Sequence, residues 1–115
     1  METDTVFAKI LRGEIPANVV YEDDRCLAFR DVNPQAPVHV LVIPRETIVG
    51  IQGATADQES LLGHLMLIAA EVARIEGISE TGYRCVVNAG PDGGQEIHHL
   101  HVHVLGGRRM AWPPG

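Results

Sequence analysis

The sequence predicts an α+β fold: a mainly antiparallel five-stranded sheet with one long helix and a short N-terminal helix. Its 115 residues contain five short runs with the apolar or alternating pattern of β-strands. One central segment keeps a helical repeat over four turns, and the strands do not alternate strictly with helices as in a parallel β-α-β fold. A chain of this length buries roughly two-thirds of its unfolded surface, which is enough for one core without disulfides.

The first element is predicted to be a short helix. Asp4 or Thr5 can cap its N-terminus, and Gly13 is a typical stop. Pro16 then forces an extended path. The apolar face of this helix would carry Val6, Phe7, Ile10 and Leu11.

Three strands are predicted next. The β-prone runs 19–21 and 26–29 are separated by four charged residues, which indicates a hairpin. The nearly all-apolar run 38–43 ends at Pro44, as a central strand would, and His39 interrupts it.

The long helix and the last two strands complete the prediction. Thr55 and Gln58 have the spacing of a capping box, and the helix is expected to stop at Gly77. Residues 83–88 and 97–105 are the fourth and fifth strands, with a glycine-rich turn between them. The apolar stripe of the helix consists of Leu61, Leu65, Ile68, Val72 and Ile75.

The fifth predicted strand carries a row of histidines. Because alternate residues of a strand face opposite sides, His99, His101 and His103 should project from one face, opposite an apolar face. Valine, isoleucine or threonine would make a more stable strand without titratable groups. The row therefore indicates chemistry rather than packing, although a polar, solvated face is the simplest alternative.

Two chemistries fit this row. Neutral imidazole is a common zinc ligand, and two of the rings could converge on one metal if His39 or Glu96 completed the site. Alternatively, one imidazole attacks an electrophile while its neighbours set its tautomer and stabilise negative charge. Gly93 and Gly94 would let backbone N–H groups approach a phosphate, but an ordinary turn is the other interpretation of this pair.

The charge and the distribution of apolar residues argue against nucleic acids and membranes as partners. A net charge of -6 provides no basic surface for a nucleic-acid backbone, and no apolar run approaches the roughly 18 residues of a membrane span. The N-terminus is acidic and lacks the apolar region of a signal peptide. Cys26 and Cys85 lie 59 positions apart without a CxxC spacing, so we expect packing residues in a reducing, cytoplasmic environment.

Several motifs together resemble a known family. The segment 99–105 fits the pattern His-φ-His-φ-His-φ-φ, where φ is apolar, and Gly93-Gly94-Gln95 precedes it at the family's spacing. The segments 29–44, 82–88 and 106–108 add further matches. The chain resembles the histidine triad (HIT) family, and within it the Hint branch. The resemblance implies a single HIT domain over residues 1–115, with a tail at 108–115 that packs at a dimer interface.

The resemblance also implies an activity and roles for individual residues. Members of the branch are homodimers with a continuous shared sheet; they bind purine nucleoside monophosphates and hydrolyse adenosine 5'-phosphoramidates without a cofactor. His101 would be the nucleophile, His99 and His103 would orient it and donate to the phosphate, and His39 would assist them. The ligand-binding set would be Asp31 for the ribose, Phe29, Val32 and Ile10 for the base, Asn88, Gly94, Gln95 and Glu96 for the phosphate, and Trp112 of the tail beside the leaving group of the other subunit.

Three positions depart from the commonest family pattern. Glu96 stands where many members have Ser or Thr, His98 where Tyr is common, and Thr47 where eukaryotic relatives often have His. Glu96 could protonate the leaving group or point away from the phosphate, and any relay through position 47 is absent. We interpret His98 as structural, and His64 on the long helix as a surface or packing residue.

Other functions remain open at this stage. Within the family, dinucleoside polyphosphate hydrolysis is the nearest alternative, whereas the galactose-phosphate uridylyl transferase branch typically has Gln at the position of His103. A nucleotide-binding regulatory module with residual activity and a metal-binding domain are the alternatives from other classes.

Overall fold

The computed structural model describes residues 4–115 and confirms the α+β fold with a five-stranded antiparallel sheet and one long helix. The strand order is β1-β2-β3-β5-β4, and every neighbouring pair is antiparallel. No helix within residues 4–115 has the length and apolarity needed to cross a membrane. The elements are α1 (Val6–Leu11), β1 (Val19–Glu22), β2 (Cys26–Arg30), β3 (Val38–Pro44), α2 (Glu59–Ile75), β4 (Tyr83–Val86) and β5 (Val102–Gly106).

Helix α1 begins at a predicted cap, whereas the predicted capping box of the long helix lies one 3-10 turn before α2. Of the two candidates for α1, Thr5 is the cap, because its hydroxyl accepts the N–H of Ala8 at 3.1 Å. The Thr55 and Gln58 side chains form the predicted capping box, but it starts a 3-10 turn, Ala56–Gln58, that leads into α2.

Helix α2 packs on the sheet through most of its predicted stripe. Leu61, Leu65, Ile68 and Val72 are buried, but Ile75 is exposed, so the prediction was wrong at that position. The chain turns at Gly77, which has a positive φ, and the buried side chain of Ile78 covers that end of the core instead.

The sheet separates two apolar clusters because its side chains alternate between faces. The cluster beneath α2 includes Cys26, Ala28, Val40, Val42, Val102 and Val104. The opposite cluster consists of Phe7, Leu27, Phe29, Leu41 and Ile43. His39 and His103 have the parity of the second set, so they face away from α2.

The last two strands are shorter than predicted. The fourth ends at Val86 rather than at residue 88, and the fifth begins at Val102 rather than at residue 97. Before Val102 the backbone bonds outside the sheet: the Leu100 N–H donates to the Ile48 carbonyl. The alternation nevertheless holds, because Leu100, Val102 and Val104 all enter the core beneath α2.

Leu65 tests the packing of α2. Its side chain is 1% exposed, and Leu65→Ala is expected to lower the free energy of unfolding by about 2–5 kcal/mol because it leaves a cavity under the helix. The matched control is Leu67→Ala, at a side chain 70% exposed, with an expected change within about 0.5 kcal/mol. Urea unfolding measures both, and equal losses would contradict the observed packing.

Candidate active site

A cleft of about 490 Å³ opens beside α1 on the face of the sheet that points away from α2. One part of its wall is apolar and the other carries imidazole, carboxylate and amide groups. Predicted site residues that line it are Ile10, Phe29, Asp31, Val32, His39, Asn88, Gly94, Glu96, His101 and His103. The cleft therefore brings together ten of the thirteen predicted residues.

Main-chain contacts set the tautomers of His39 and His103. The backbone N–H of Gln35 donates to Nδ1 of His39 at 3.0 Å, so this ring carries its proton on Nε2. That Nε2–H donates to Nδ1 of His103 at 2.9 Å. His103 must then carry its own proton on Nε2, an atom that is buried and has no hydrogen-bond partner within residues 4–115. The ring of His103, a residue that lines the cleft, thus carries an uncommitted N–H donor.

The His101 ring carries its proton on Nδ1, the opposite nitrogen from that in His39 and His103. Its Nδ1 lies 2.7 Å from the carbonyl of His99, which can only accept, so Nδ1 carries the proton. The Nε2 atom of His101 consequently holds a lone pair, as a nucleophile requires. The ring is buried edge-on against Phe7 at 5.0 Å and against His103 at 4.9 Å between ring centroids.

His99 lies behind this pair. Its Nε2–H donates to the carbonyl of Pro44, at the end of β3, at 2.9 Å. The ring is fully buried and, within the described chain, it is not among the residues that line the cleft. Its carbonyl orients His101, so His99 acts on the site through the main chain.

Burial keeps these imidazoles neutral. Desolvation lowers the pKa of His101, although the hydrogen bond to His99 and the nearby Asp31 carboxylate oppose the shift. Desolvation also lowers the pKa of His39 and His99. For His103, burial together with the adjacent His101 and His39 rings lowers the pKa to about 4. Near neutral pH, the lone pair of His101 is therefore available.

Asp31 connects the histidines to the apolar end of the cleft. Its Oδ1 accepts the N–H of Asn33 at 2.9 Å, and its Oδ2 lies 3.5 Å from Nε2 of His39. The buried side chain of Phe29 forms part of the cleft wall between Asp31 and α1. The Val32 side chain, which is 99% exposed, lies at the rim of the cleft. A flat apolar group of a ligand could pack between Phe29 and Val32, and a hydroxyl group of the same ligand could then lie beside Asp31.

Comparison with known proteins identifies the family to which this fold belongs. Residues 12–110 match the profile of the HIT domain. The chain belongs to the HIT family. An uncharacterized HIT-like protein of Synechococcus elongatus is 61% identical over the whole of both chains. A 14 kDa zinc-binding protein of Zea mays is 51% identical over 99% of this chain and 90% of the maize protein. The structure of a HIT family hydrolase from Legionella pneumophila Philadelphia 1 has a TM-score of 0.93 at 52% identity, covering 96% of this chain and 98% of the other.

The glycine-rich loop of this HIT protein is tied down by Gln95. The side-chain oxygen of Gln95 accepts from the Gly90 N–H and from Gln52, and its nitrogen donates to the carbonyls of Val49 and Ile97. Within the described residues, Gln95 is not part of the cleft wall. The resemblance placed it at a phosphate, but its observed bonds hold the loop against the segment around Val49.

Gly93 tests how closely this loop of the HIT protein packs. A Cβ at this position would lie 2.4 Å from the Ala89 carbonyl oxygen, and backbone cannot rotate away as a side chain can. Gly93→Ala is expected to cost about 1–3 kcal/mol of stability and to displace the loop that carries Gly94 and Glu96. The control is Gly63→Ala on α2, where a Cβ meets no atom of residues 4–115 within 4 Å apart from the adjoining residues and helix backbone, so this change should not destabilise. Thermal melting of both variants measures the difference, and equal melting temperatures would contradict it.

The buried histidines of this HIT protein predict a pH dependence of stability. In the unfolded chain His103 takes up a proton near pH 6.5, whereas the folded ring does so only near its lowered pKa of about 4. Between these values the unfolded state binds more protons, so the free energy of unfolding falls as the pH is lowered from 6.5 towards 4. Urea titrations across this range should show a smaller decrease in His103→Asn than in the wild type. Parallel curves for the two proteins would disprove this contribution.

The structure also places the candidate metal ligands. Within residues 4–115, ligand atoms of Asp31, His39 and His103 lie within 4.8 Å of one another. This set differs from the predicted one, because it includes one residue of the histidine row rather than two. Glu96 lies exposed at the cleft and is outside the set.

The remaining predicted residue, Trp112, lies outside the cleft wall as far as the described chain shows. Its side chain is 82% exposed, and the guanidinium of Arg84 lies 5.9 Å from its ring centroid. Arg84 also donates to the carbonyl of Ala111. The tail of this HIT protein thus lies against β4, at one edge of the sheet.

Sequence reasoning missed four contributions to the site. The Gln35 N–H and the Pro44 carbonyl are main-chain groups, so no side-chain pattern could indicate them. Gln52 reaches the loop from 43 positions away without a motif. Phe7 was assigned to the apolar face of α1, but its contacts with His99 and His101 were not foreseen.

Proposed function

We propose that this HIT protein hydrolyses purine nucleoside phosphoramidates and releases AMP from AMP-amine substrates through a covalent histidyl-AMP intermediate. The observation that carries the proposal is the polarity of His101: Nδ1–H is held by the His99 carbonyl, and the Nε2 lone pair belongs to a ring that lines the cleft. The similarity to a HIT family hydrolase supports a hydrolytic reaction. The P–N bond as the target is our inference from the Hint-like motifs.

In the first step, Nε2 of His101 attacks the phosphorus of the substrate. A bond forms between Nε2 and phosphorus while the bond from phosphorus to the amine nitrogen breaks. Charge on the phosphoryl oxygens needs fixed donors, and the Nε2–H of His103 is such a donor. In the glycine-rich loop, the N–H groups of Gly94 and Gln95 already donate to the carbonyls of Pro91 and Gly90. The backbone N–H of Glu96, in the same loop at the cleft, would supply another donor.

The departing amine needs a proton, and the second step restores the enzyme. Glu96 is exposed at the cleft and, when protonated, could donate to the amine nitrogen. Water then attacks phosphorus, the bond to Nε2 of His101 breaks, and AMP leaves. The proton that this water releases replaces the one taken by the amine, so the cycle balances.

The apolar end of the cleft would hold the purine nucleoside. Phe29, Ile10 and Val32 offer apolar surface for a base, and Asp31 can accept hydrogen bonds from the ribose hydroxyls. Asn88, which also lines the cleft, would face the phosphate. This arrangement suits a nucleoside monophosphate unit, whose single phosphate needs only local donors.

A homodimer is part of the proposal. Strand β4 lies at an edge of the sheet, where a second copy of the chain could pair with it. The exposed Trp112 lies near this strand, because its ring is next to the guanidinium of Arg84 on β4. The Trp112 of one subunit would then shape the leaving-group side of the other. Sedimentation equilibrium should give twice the chain mass, and a monomer at micromolar concentration would refute this part.

We place the protein in the cytoplasm, where its two free cysteines would stay reduced.

A panel of substrates tests the activity. Purified protein should turn over an AMP-lysine conjugate faster than diadenosine polyphosphates, and quenching with detergent at alkaline pH during turnover should trap AMP on the protein, because a phosphorus–imidazole bond is hydrolysed by acid but survives in alkali. Faster turnover of the diadenosine compounds would favour dinucleoside polyphosphate hydrolysis instead. Tight AMP binding with negligible turnover of every substrate would leave a nucleotide-binding regulatory module.

A metal-binding function is the second candidate. Its support is the set of ligand atoms from Asp31, His39 and His103, together with the similarity to the zinc-binding protein of Zea mays. Metal at this set would engage the Nε2 atom of His39 and break its hydrogen bond to His103. Dialysis against a chelator separates the two functions, because the hydrolase should keep its full rate and a metal-dependent protein should lose it.

A further inference from the structure

A second group of potential ligands lies on the other side of the sheet. Within the described residues, one ligand atom each of Asp23, Cys26 and His64 lies within 4.8 Å of the other two. Asp23 is in the turn between β1 and β2, Cys26 begins β2, and His64 is on α2. Cys26 belongs to the core beneath α2, so this group is separated from the cleft by the sheet.

The Asp23 carboxylate is held in place with one oxygen aimed at this group. Its Oδ1 accepts the N–H groups of Arg25 and Cys26, both at 2.8 Å, which fixes the turn. Its Oδ2 lies 2.7 Å from Nε2 of His64 and accepts from the Tyr21 hydroxyl at 2.8 Å. The proposed cleft chemistry uses none of these groups.

We propose that Oδ2 of Asp23, Sγ of Cys26 and Nε2 of His64 bind a divalent cation that accepts oxygen, sulfur and nitrogen ligands, with Zn²⁺ as the best match. Zinc takes this mixture of ligands at about 2.0–2.3 Å in a tetrahedral arrangement. Water or the Tyr21 hydroxyl would occupy the fourth position. The site is structural in character, since it joins the β1–β2 turn to α2.

Metal binding would exchange protons for the cation. The metal binds Nε2 of His64 while one proton stays on Nδ1; in the neutral ring this proton moves there from Nε2, where it had bridged to Asp23. The Cys26 thiol releases its proton to solvent. The His64 side chain is partly exposed on α2 and can move outward by the roughly 0.7 Å that tetrahedral bonds require of the 2.7 Å contact. Burial raises the pKa of Cys26 to about 12, so release of this proton weakens the affinity.

Titration with Co²⁺ tests the proposal, because a Co²⁺–thiolate bond absorbs in the near ultraviolet by charge transfer. The wild type should develop this band up to one equivalent, and Cys26→Ser should abolish it. The matched control Cys85→Ser should keep it. The Asp31, His39 and His103 set contains no sulfur, so cobalt bound there produces no such band. Absence of the band in the wild type, or its persistence in Cys26→Ser, would overturn the proposal.

A second variant covers the case in which Cys26→Ser does not fold. His64→Gln alters a partly exposed residue of α2 and removes the imidazole ligand. Its dissociation constant for Co²⁺ should rise at least about 100-fold, and its melting temperature should no longer increase with added Zn²⁺. An unchanged dissociation constant would overturn the proposal. Both readouts are independent of the proposed hydrolysis, because neither measures turnover.

Discussion

His101→Ala is expected to lower the turnover of an AMP-amine substrate by about 10⁴-fold or more, in line with the removal of other enzymatic nucleophiles. The substitution removes the Nε2 lone pair and leaves the main chain of His99 and the apolar wall unchanged. Binding of AMP, measured by calorimetry, should persist because Asp31 and Phe29 remain. Quenching with detergent at alkaline pH should trap no AMP on the variant.

The control for this experiment is His98→Ala. His98 is an exposed neighbour in the same segment and, in the described structure, is not part of the cleft wall. It should retain turnover within about twofold of the wild type, because no proposed step uses its ring. A His101→Ala variant that released AMP at the wild-type rate would refute the assignment of the nucleophile.

His103→Ala is expected to lower kcat by about 10²–10³-fold, the usual loss when a donor to transition-state charge is removed. The KM should change less, because the donor is needed most as charge develops on the phosphoryl oxygens. His39→Ala should produce a smaller loss. It leaves His103 in place but removes the N–H that holds its tautomer.

The two substitutions should not be additive. In the proposed reaction His39 acts on the phosphate only through His103, so the double variant should be no slower than His103→Ala alone. The matched variant His39→Gln can still donate to Nδ1 of His103 and should recover part of the rate lost in His39→Ala. Losses that multiply in the double variant would show that His39 has a separate role.

The sequence predicted the fold class and the side of the sheet on which the histidines lie. Alternation alone placed Leu100, Val102 and Val104 in the core, and that part is confirmed even though the strand begins only at Val102. The strand was predicted too long because alternation reports which way side chains point, whereas a strand also requires ladder hydrogen bonds. The Leu100 N–H bonds to Ile48 instead.

Hydrogen bonds and ligand groups that form only when the chain folds could not be predicted from the sequence. The family resemblance named four histidines, but their proton positions follow from main-chain carbonyl and N–H groups, which side-chain patterns do not reveal. Gln95 shows the same limit, since only the folded loop shows that its amide bonds to main-chain groups rather than facing the cleft. Likewise, the two ligand groups that contain His39 and His64 come from residues far apart in the chain.

The backbone N–H of Gln35 donates to His39, and this bond decides which ring of the His39–His103 pair donates and which accepts. A main-chain group, not a side chain, therefore sets the direction of that hydrogen bond. Any amino acid with a main-chain N–H can serve at position 35, whereas proline, which has none, would leave His39 free to reverse. Both rings could then exchange donor for acceptor, and His103 would present a lone pair to an anion. Position 35 can therefore vary widely in evolution or design, with one forbidden residue, and a scan of single substitutions would miss its importance unless proline were included.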